Sequence, residues 1–314
     1  HDDAFFMRVA LRYAERGRPW TSPNPLVGCV IVRNDRIIGR GFHERYGESH
    51  AEINALRDAE RRGHDVRGAT MFVTLEPCVH IGKTPPCVDA VVRSGIRRVV
   101  IAVYDANPLV RERGARRLRR AGIHVRVGVL RDHARAQNKI FFYWMTYHMP
   151  YVVVKVAVSA DNKITRIIGQ RTQISSKVSA RFIHTLRHRV DAIAVGVNTI
   201  RVDDPLLTTR GIRNSKNPTP IIFDPALSIP RTARLFKYHR PLIITTTSAL
   251  SSSELKRAEV VRKAQIKAYT HRRGVLPLRR ILRDLAKENI SSVLVEGGQY
   301  TLTRFFDANV VNEW

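Results

Sequence analysis

Thr74-Leu75-Glu76-Pro77-Cys78-Val79-His80-Ile81-Gly82-Lys83-Thr84-Pro85-Pro86-Cys87 continues the apolar run Met71-Phe72-Val73 and sets one thiol at each end of a loop. Upstream, His50-Ala51-Glu52 opens a helical pattern with Ala51, Ile53, Ala55, Leu56 and Ala59 as its apolar positions. A catalytic zinc keeps three protein ligands and leaves its fourth position to a water, whose pKa falls to about 7 when bound. His50, Cys78 and Cys87 fill that count. Glu52 is then free to take a proton from the water and pass it to a leaving amine, the work of the non-ligating Glu in zinc deaminases. Both ligand segments are expected to aim first-turn backbone N–H groups at the site, which favours thiolate over thiol.

Two other arrangements suit these residues, a closed zinc clip and a buried pair of reduced thiols. A closed site recruits a fourth ligand, whereas this pattern offers an unligated Glu. Zinc deaminases of nucleic acid place two residues between their cysteines. Here there are eight, which argues against a bare nucleoside or tRNA deaminase and for an enlarged loop. Within that loop Lys83 is a lone cation, suited to a substrate phosphate.

Outward from this stretch, helices alternate with strands. The periodicity predicts a helix over 3–16, a strand over 26–33, and a hairpin through Asn34-Asp35 to a strand at 37–42. There follow helix 50–62, strand 70–75, helix 87–94, strand 97–103, helix 111–121, strand 123–127 and helix 130–140. Such alternation implies a sheet covered on both faces, and a mixed one because it opens with a hairpin. Asn24, between two prolines, is a good turn residue in its own right. Asp105 and Asn107 close the strand at 97–103, where α/β sheets place ligand contacts, although a plain surface loop reads equally well.

A domain boundary is expected near His148-Met149-Pro150, giving units 1–148 and 149–314. The aromatic run Phe141, Phe142, Tyr143 and Trp144 before it reads as a packing seam, since it lacks the interleaved basic residues of a base-stacking platform. Beyond it lies a second α/β pattern: strand 151–158, helix 175–187, strands 191–196, 219–223 and 241–246, helix 252–264, strand 265–269, helix 276–287, strand 291–295 and helix 299–306. The turn Glu296-Gly297-Gly298 between the last two brings backbone N–H groups to a helix N-terminus, where phosphate binds.

The 314 residues suffice for two cores, and 44% hydrophobic with 7% aromatic content fits a globular protein without membrane spans. No signal-peptide pattern precedes the first helix, and with His1 in place of Met a trimmed start is expected. Two of the three cysteines go to metal and Cys29 sits in an apolar strand, so a reducing cytoplasm is expected. The net charge of +27 divides as 26 basic against 15 acidic side chains in 1–150, and 28 against 12 in 151–314. A nucleic-acid binder concentrates its charge in one patch or stripe. An evenly spread field steers anionic small molecules, though nothing in the sequence explains so large an excess.

Asn24-Pro25-Leu26-Val27-Gly28-Cys29-Val30-Ile31-Val32, His50-Ala51-Glu52, and Thr74 to Cys78 with the loop from His80 to Cys87 resemble the bifunctional deaminase/reductases of riboflavin biosynthesis. The similarity continues through Asp105, Asn107 and Pro108, then Asp203-Asp204-Pro205 and Val295-Glu296-Gly297-Gly298, so it covers essentially the whole chain. It implies an N-terminal cytidine-deaminase-like three-layer α/β/α domain with a mixed sheet. It also implies a C-terminal dihydrofolate-reductase-like α/β domain. Members deaminate a diaminopyrimidinone carrying a ribosylamino 5′-phosphate, using zinc, and then reduce the ribosyl chain to ribityl with NADPH. The resemblance places Asn24, Asp105 and Asn107 on the substrate. It assigns Lys155, Arg187, Leu207, Arg210 and Glu296 to the sugar phosphate or its surroundings, and Ala157, Thr199, Asp203, Gly298, Gln299 and Thr301 to NADPH. A homo-oligomer is compatible with it. Arg187 and Arg210 make physical sense as a phosphate clamp, because guanidinium forks suit phosphate oxygens.

The second half departs from the family. Asp161-Asn162 stands where Asp-Gly is usual, Gln170-Arg171-Thr172-Gln173 where Glu-Ser-x-Trp is usual, and the chain ends at Asn312-Glu313-Trp314, short of the usual final portion. Ala106, Arg111 and Glu112 are milder changes in the first half. The expectation is a competent deaminase beside a reductase that binds its ligands, with Arg171 pairing with the phosphate, yet turns over poorly. The competing readings are a deaminase with a structural reductase half, and a nucleic-acid-binding base deaminase. The charge favours the latter, and the long loop carrying Lys83 speaks against it.

Overall fold

Residues 28–32 are buried without a break and only Arg33 emerges, as in a strand packed on both faces. This is β1 (Gly28–Arg33). At the turn, Asn34 and Asp35 have φ of 49° and 58°, the paired left-handed residues of the tightest hairpins, and they return the chain as β2 (Arg36–Phe42). β1 also pairs antiparallel with β3 (Thr70–Leu75), to which β4 (Arg98–Val103) and then β5 (His124–Val127) add in parallel. The strand order is β2-β1-β3-β4-β5, the mixed sheet expected. The structure, a computed structural model, describes residues 2–80, 85–108, 110–159, 176–251, 262–270 and 275–314. It divides into two units, His1–Tyr147 and His148–Trp314.

In the first unit, α1 (Asp3–Ala14) and α2 (Ala51–Arg61) cover opposite faces. A Cβ on Gly28 would lie 2.0 Å from the Ala10 carbonyl of α1. One on Gly41, which is paired with Cys29 of the other face, would lie 2.4 Å from the Ala55 nitrogen of α2. Glycine at these positions lets the helices close on the sheet. α3 (Cys87–Arg93), α4 (Arg113–Arg120), α5 (Arg131–Gln137) and α6 (Lys139–Tyr147) complete the three layers. The single helix expected over 130–140 is two helices that meet at Asn138. That buried side chain both accepts from the Leu26 N–H (2.8 Å) and donates to the Leu26 carbonyl (2.9 Å). The aromatic run lies on α6, and Phe141 packs into the core of its own unit.

The second unit is a six-stranded sheet in the order β10-β9-β8-β7-β11-β6, every pair parallel. In chain order it runs β6 (Tyr151–Val154), α7 (Lys177–Arg189), β7 (Ala192–Gly196), α8 (Val197–Asp203), β8 (Thr219–Phe223) and β9 (Leu242–Thr246). It continues with α9 (Thr247–Ser251), β10 (Gln265–Tyr269), α10 (Leu278–Lys287), β11 (Ser292–Val295) and α11 (Gln299–Asp307). β6 is shorter than the strand expected over 151–158, for Val156 and Val158 are already 41% and 49% exposed. The sequence gives no sign of α8, because Val197, Thr199 and Ile200 are β-branched and favour strand; burial of Ile200 in the core overrides that preference. Most of the helix expected over 252–264 lies outside the described residues. No helix among the described residues is long and apolar enough to cross a membrane.

Candidate active site

His50 is the N-cap of α2, which places its ring at the mouth of the sheet and sends Glu52 into the first helical turn behind it. Cys78 follows the end of β3, and Cys87 is the first residue of α3, its N–H donating to the Cys78 sulfur at 3.4 Å. The expected first-turn N–H group is therefore supplied by α3 and received by the other thiol. Nδ1 of His50 lies 3.1 Å from the Cys87 sulfur and 3.5 Å from that of Cys78. All three donor atoms lie within 4.8 Å of one another, and no other group of three His, Cys, Asp or Glu converges like this among the described residues. A tetrahedral zinc with ordinary bond lengths sets nitrogen and sulfur ligands roughly 3.6 Å apart, so the donor set and its spacing fit that ion.

The electrostatics fit it as well. A hydrogen bond from Cys87, followed by one from His50, lowers the Cys78 thiol, while Cys87 is raised by its bond to Cys78 and by burial. A metal bound by both sulfurs would displace their protons. His50 is raised, first by its hydrogen bond to Cys78. Burial pushes Glu52 up to about 7, against the pull of His50. A carboxyl near neutrality both accepts and returns a proton readily.

His50, Glu52 and Cys78 line a cavity of about 270 Å³ together with Asn24, His43, Tyr46, Glu76, His80, Asp105, Asn107 and Phe141. His43 is lowered chiefly by burial and is therefore neutral. Its Nδ1–H donates to the Ser49 carbonyl at 3.2 Å, so Nε2 accepts from the Asn24 amide at 3.1 Å and leaves the Asn24 oxygen for a ligand. Burial, and then the charge of Glu76, pushes Asp105 up to about 6, and its Oδ1 accepts from the Asn107 N–H at 2.8 Å. Nδ1 of His80 is buried without a hydrogen-bond partner among the described residues. Lys83 and Arg171 lie outside those residues. His43, Tyr46 and Phe141 are additions to the set read from sequence; only the place of His43 at the strand end before His50 hinted at one of them.

In the second unit the strand order reverses between β7 and β11, and a cavity of about 870 Å³ opens at their carboxyl ends, the usual place for a ligand in such sheets. Thr199, Gly298, Gln299 and Thr301 come together in its wall, whereas Asp203 and Ala157 are not part of it. No neighbouring atom lies within 4 Å of the position a Cβ would take on Gly298, the N-cap of α11. Backbone N–H groups there suit a pyrophosphate, and the volume accommodates a dinucleotide.

The phosphate clamp expected of Arg187 and Arg210 needs correction. Arg187 gives Nε and Nη2 to the Glu296 carboxylate at 2.9 and 2.8 Å and Nη1 to the Thr208 carbonyl at 3.1 Å, with both charged side chains largely buried. Its fork is engaged inside the protein. Arg210 is exposed, and its N–H donates to His184 at 3.2 Å. Leu207, at φ 53°, points into the core and leaves only its backbone for a ligand. Lys155 follows β6, with its N–H on the Val295 carbonyl next to Glu296.

Residues 1–103 match the cytidine and deoxycytidylate deaminase zinc-binding region, and residues 150–314 match the RibD C-terminal domain. The riboflavin biosynthesis protein RibD of Aquifex aeolicus is 41% identical over 304 residues, 96% of this chain and 83% of that one. RibD of Acinetobacter baumannii superposes with a TM-score of 0.88 at 33% identity, over 99% of this chain and 84% of the other. The diaminohydroxyphosphoribosylaminopyrimidine deaminase/5-amino-6-(5-phosphoribosylamino)uracil reductase of Thermotoga maritima gives 0.87 at 36% identity, over 97% and 83%.

Proposed function

We propose that this chain, which belongs to the RibD family of bifunctional riboflavin-biosynthesis enzymes, deaminates a diaminohydroxyphosphoribosylaminopyrimidine in its first unit and reduces the product in its second. The observation that carries the reading is the convergence of His50, Cys78 and Cys87, with His50, Cys78 and the buried Glu52 opening into one cavity with Asn24 and Asp105. His50, Cys78 and Cys87 would hold a zinc ion, which would supply an acidified water for attack on the amino-bearing ring carbon. Glu52 takes the proton of that water and delivers it to the departing nitrogen. The C–N bond breaks as C=O forms, and ammonia leaves. Asn24, fixed by His43, and Asp105 with Asn107 orient the ring.

In the second unit, Thr199, Gly298, Gln299 and Thr301 hold the dinucleotide, while Arg210 and Lys155 face the sugar phosphate. NADPH held there would supply the hydride for reduction of the ribosyl chain to ribityl. Arg187 acts by fixing Glu296. We assign the enzyme to the cytoplasm, a compartment that keeps its three free cysteines reduced.

The test is Glu52→Gln, which removes the proton carrier and no ligand. Zinc content should stay that of the parent while ammonia release falls by at least about 10²–10⁴-fold. Loss of zinc, or survival of the activity, refutes the role of Glu52.

A further inference from the structure

We propose that Glu76 is a positioning residue for deamination: it fixes Asp105 and Asn107 at the pocket by capping α4 from outside that helix. The inference rests on the deaminase reading above and concerns a side chain to which that reading gives no part.

Glu76 follows β3 directly, two residues before the ligand Cys78, and is 3% exposed. Its carboxylate accepts three backbone N–H groups: Asp105 at 3.3 Å and Glu112 at 2.9 Å on one oxygen, and Ala115 at 2.9 Å on the other. The last two belong to the start of α4, whose own N-cap residue, Glu112, is left-handed at φ 64° and makes no side-chain cap. α4 has no acidic residue in its first turn, so Glu76 supplies both the missing cap and the negative charge that a helix N-terminus favours. A second feature is built to the same end. A Cβ on Gly114 would lie 2.2 Å from the Pro77 carbonyl and 3.1 Å from Oε1 of Glu76, so only glycine lets α4 approach this closely.

One carboxylate therefore ties both ends of the segment that carries Asp105 and Asn107, and Asn107 is fixed in turn by its N–H on Asp105. The strand end that delivers a metal ligand thus also sets the distance from metal to substrate contacts. Glu76 lines the cavity, but its oxygens face backbone N–H groups, so it acts through the loop and not on the substrate.

The experiment uses the full zinc-loaded chain with Glu76→Gln, Gly114→Ala, Asn107→Ala and the double variant Glu76→Gln/Asn107→Ala. Gln keeps one acceptor and turns a donor towards N–H groups. Zinc per chain should match the parent, amide exchange at Glu112 and Ala115 should quicken, and kcat/KM for ammonia release should fall roughly 10- to 100-fold, the scale of an ångström-sized misplacement. Gly114→Ala should do the same with the carboxylate intact, which covers the case of a Gln variant that does not fold. Asn107→Ala should cost much less in the Glu76→Gln background than in the parent. Effects that multiply independently, zinc loss on Glu76→Gln, or an unchanged kcat/KM overturn the inference. A parent chain that releases no ammonia overturns the deaminase reading itself, and this inference with it.

Discussion

Arginine is the residue whose part changed most between sequence and structure, because a guanidinium fork serves a carboxylate and a phosphate equally well. The chain shows the donor and hides the acceptor. Arg187 and Glu296 are 109 positions apart, so their pairing leaves no local trace. Removing one partner of a buried pair strands the other, at a cost of about 3–5 kcal/mol. Arg187→Ala should therefore lower the denaturant midpoint of the second unit sharply, while exposed Arg210→Ala leaves it nearly unchanged and weakens binding of the phosphorylated substrate. A fully stable Arg187→Ala protein with only a binding defect would restore the clamp. The zinc donors and Glu52, by contrast, were legible, since His-Ala-Glu at a helix start and Glu-Pro-Cys after a strand are local patterns with local causes. His43 was not, because its meaning comes from Asn24 and Ser49 across the fold.

At the scale of elements, one carboxylate of α1 reaches two strands of the sheet. Asp3 receives Arg98 of β4 at 2.8 and 2.6 Å and Arg126 of β5 at 2.8 Å, and the hydrogen bond from Arg98, opposed in part by burial, holds its carboxyl below the usual range. A carboxyl depressed on folding stabilises above its unfolded value, and the contribution is lost as pH falls through the folded one. Asp3→Asn should thus lower Tm at pH 7, and the gap from the parent should close as the pH falls below 3.8, the ordinary value of an aspartate. A gap that is constant with pH would remove the charge from the explanation. Most elements followed from periodicity, because buried strands and amphipathic helices repeat at 2 and 3.6 residues. The exceptions have tertiary causes: Ile200 draws a β-branched segment into a helix, and Asn138 interrupts a helix in order to satisfy Leu26.

Over the whole molecule, chemistry and charge are distributed differently. The net charge of +27 is spread through the sequence, and its excess over what anionic ligands require has no structural account. Each cavity, by contrast, is lined from within one unit. The zinc donors, Glu52 and the pocket around them all fall inside His1–Tyr147, a unit with its own core. Residues 1–147 made alone should bind zinc and release ammonia from the diamino substrate without binding NADPH, as zinc analysis and dinucleotide fluorescence would show; a fragment that needs the second half to hold zinc contradicts this. The two reactions run in series on one chain. The most direct test supplies the diamino ribosyl phosphate with NADPH and follows ammonia and nicotinamide absorbance together, in the parent and in Glu52→Gln. The parent should release ammonia first and then consume NADPH, while the variant does neither with this substrate yet consumes NADPH when given the deaminated one. NADPH consumption by the variant from the diamino substrate, or no ammonia from the parent, would contradict the account.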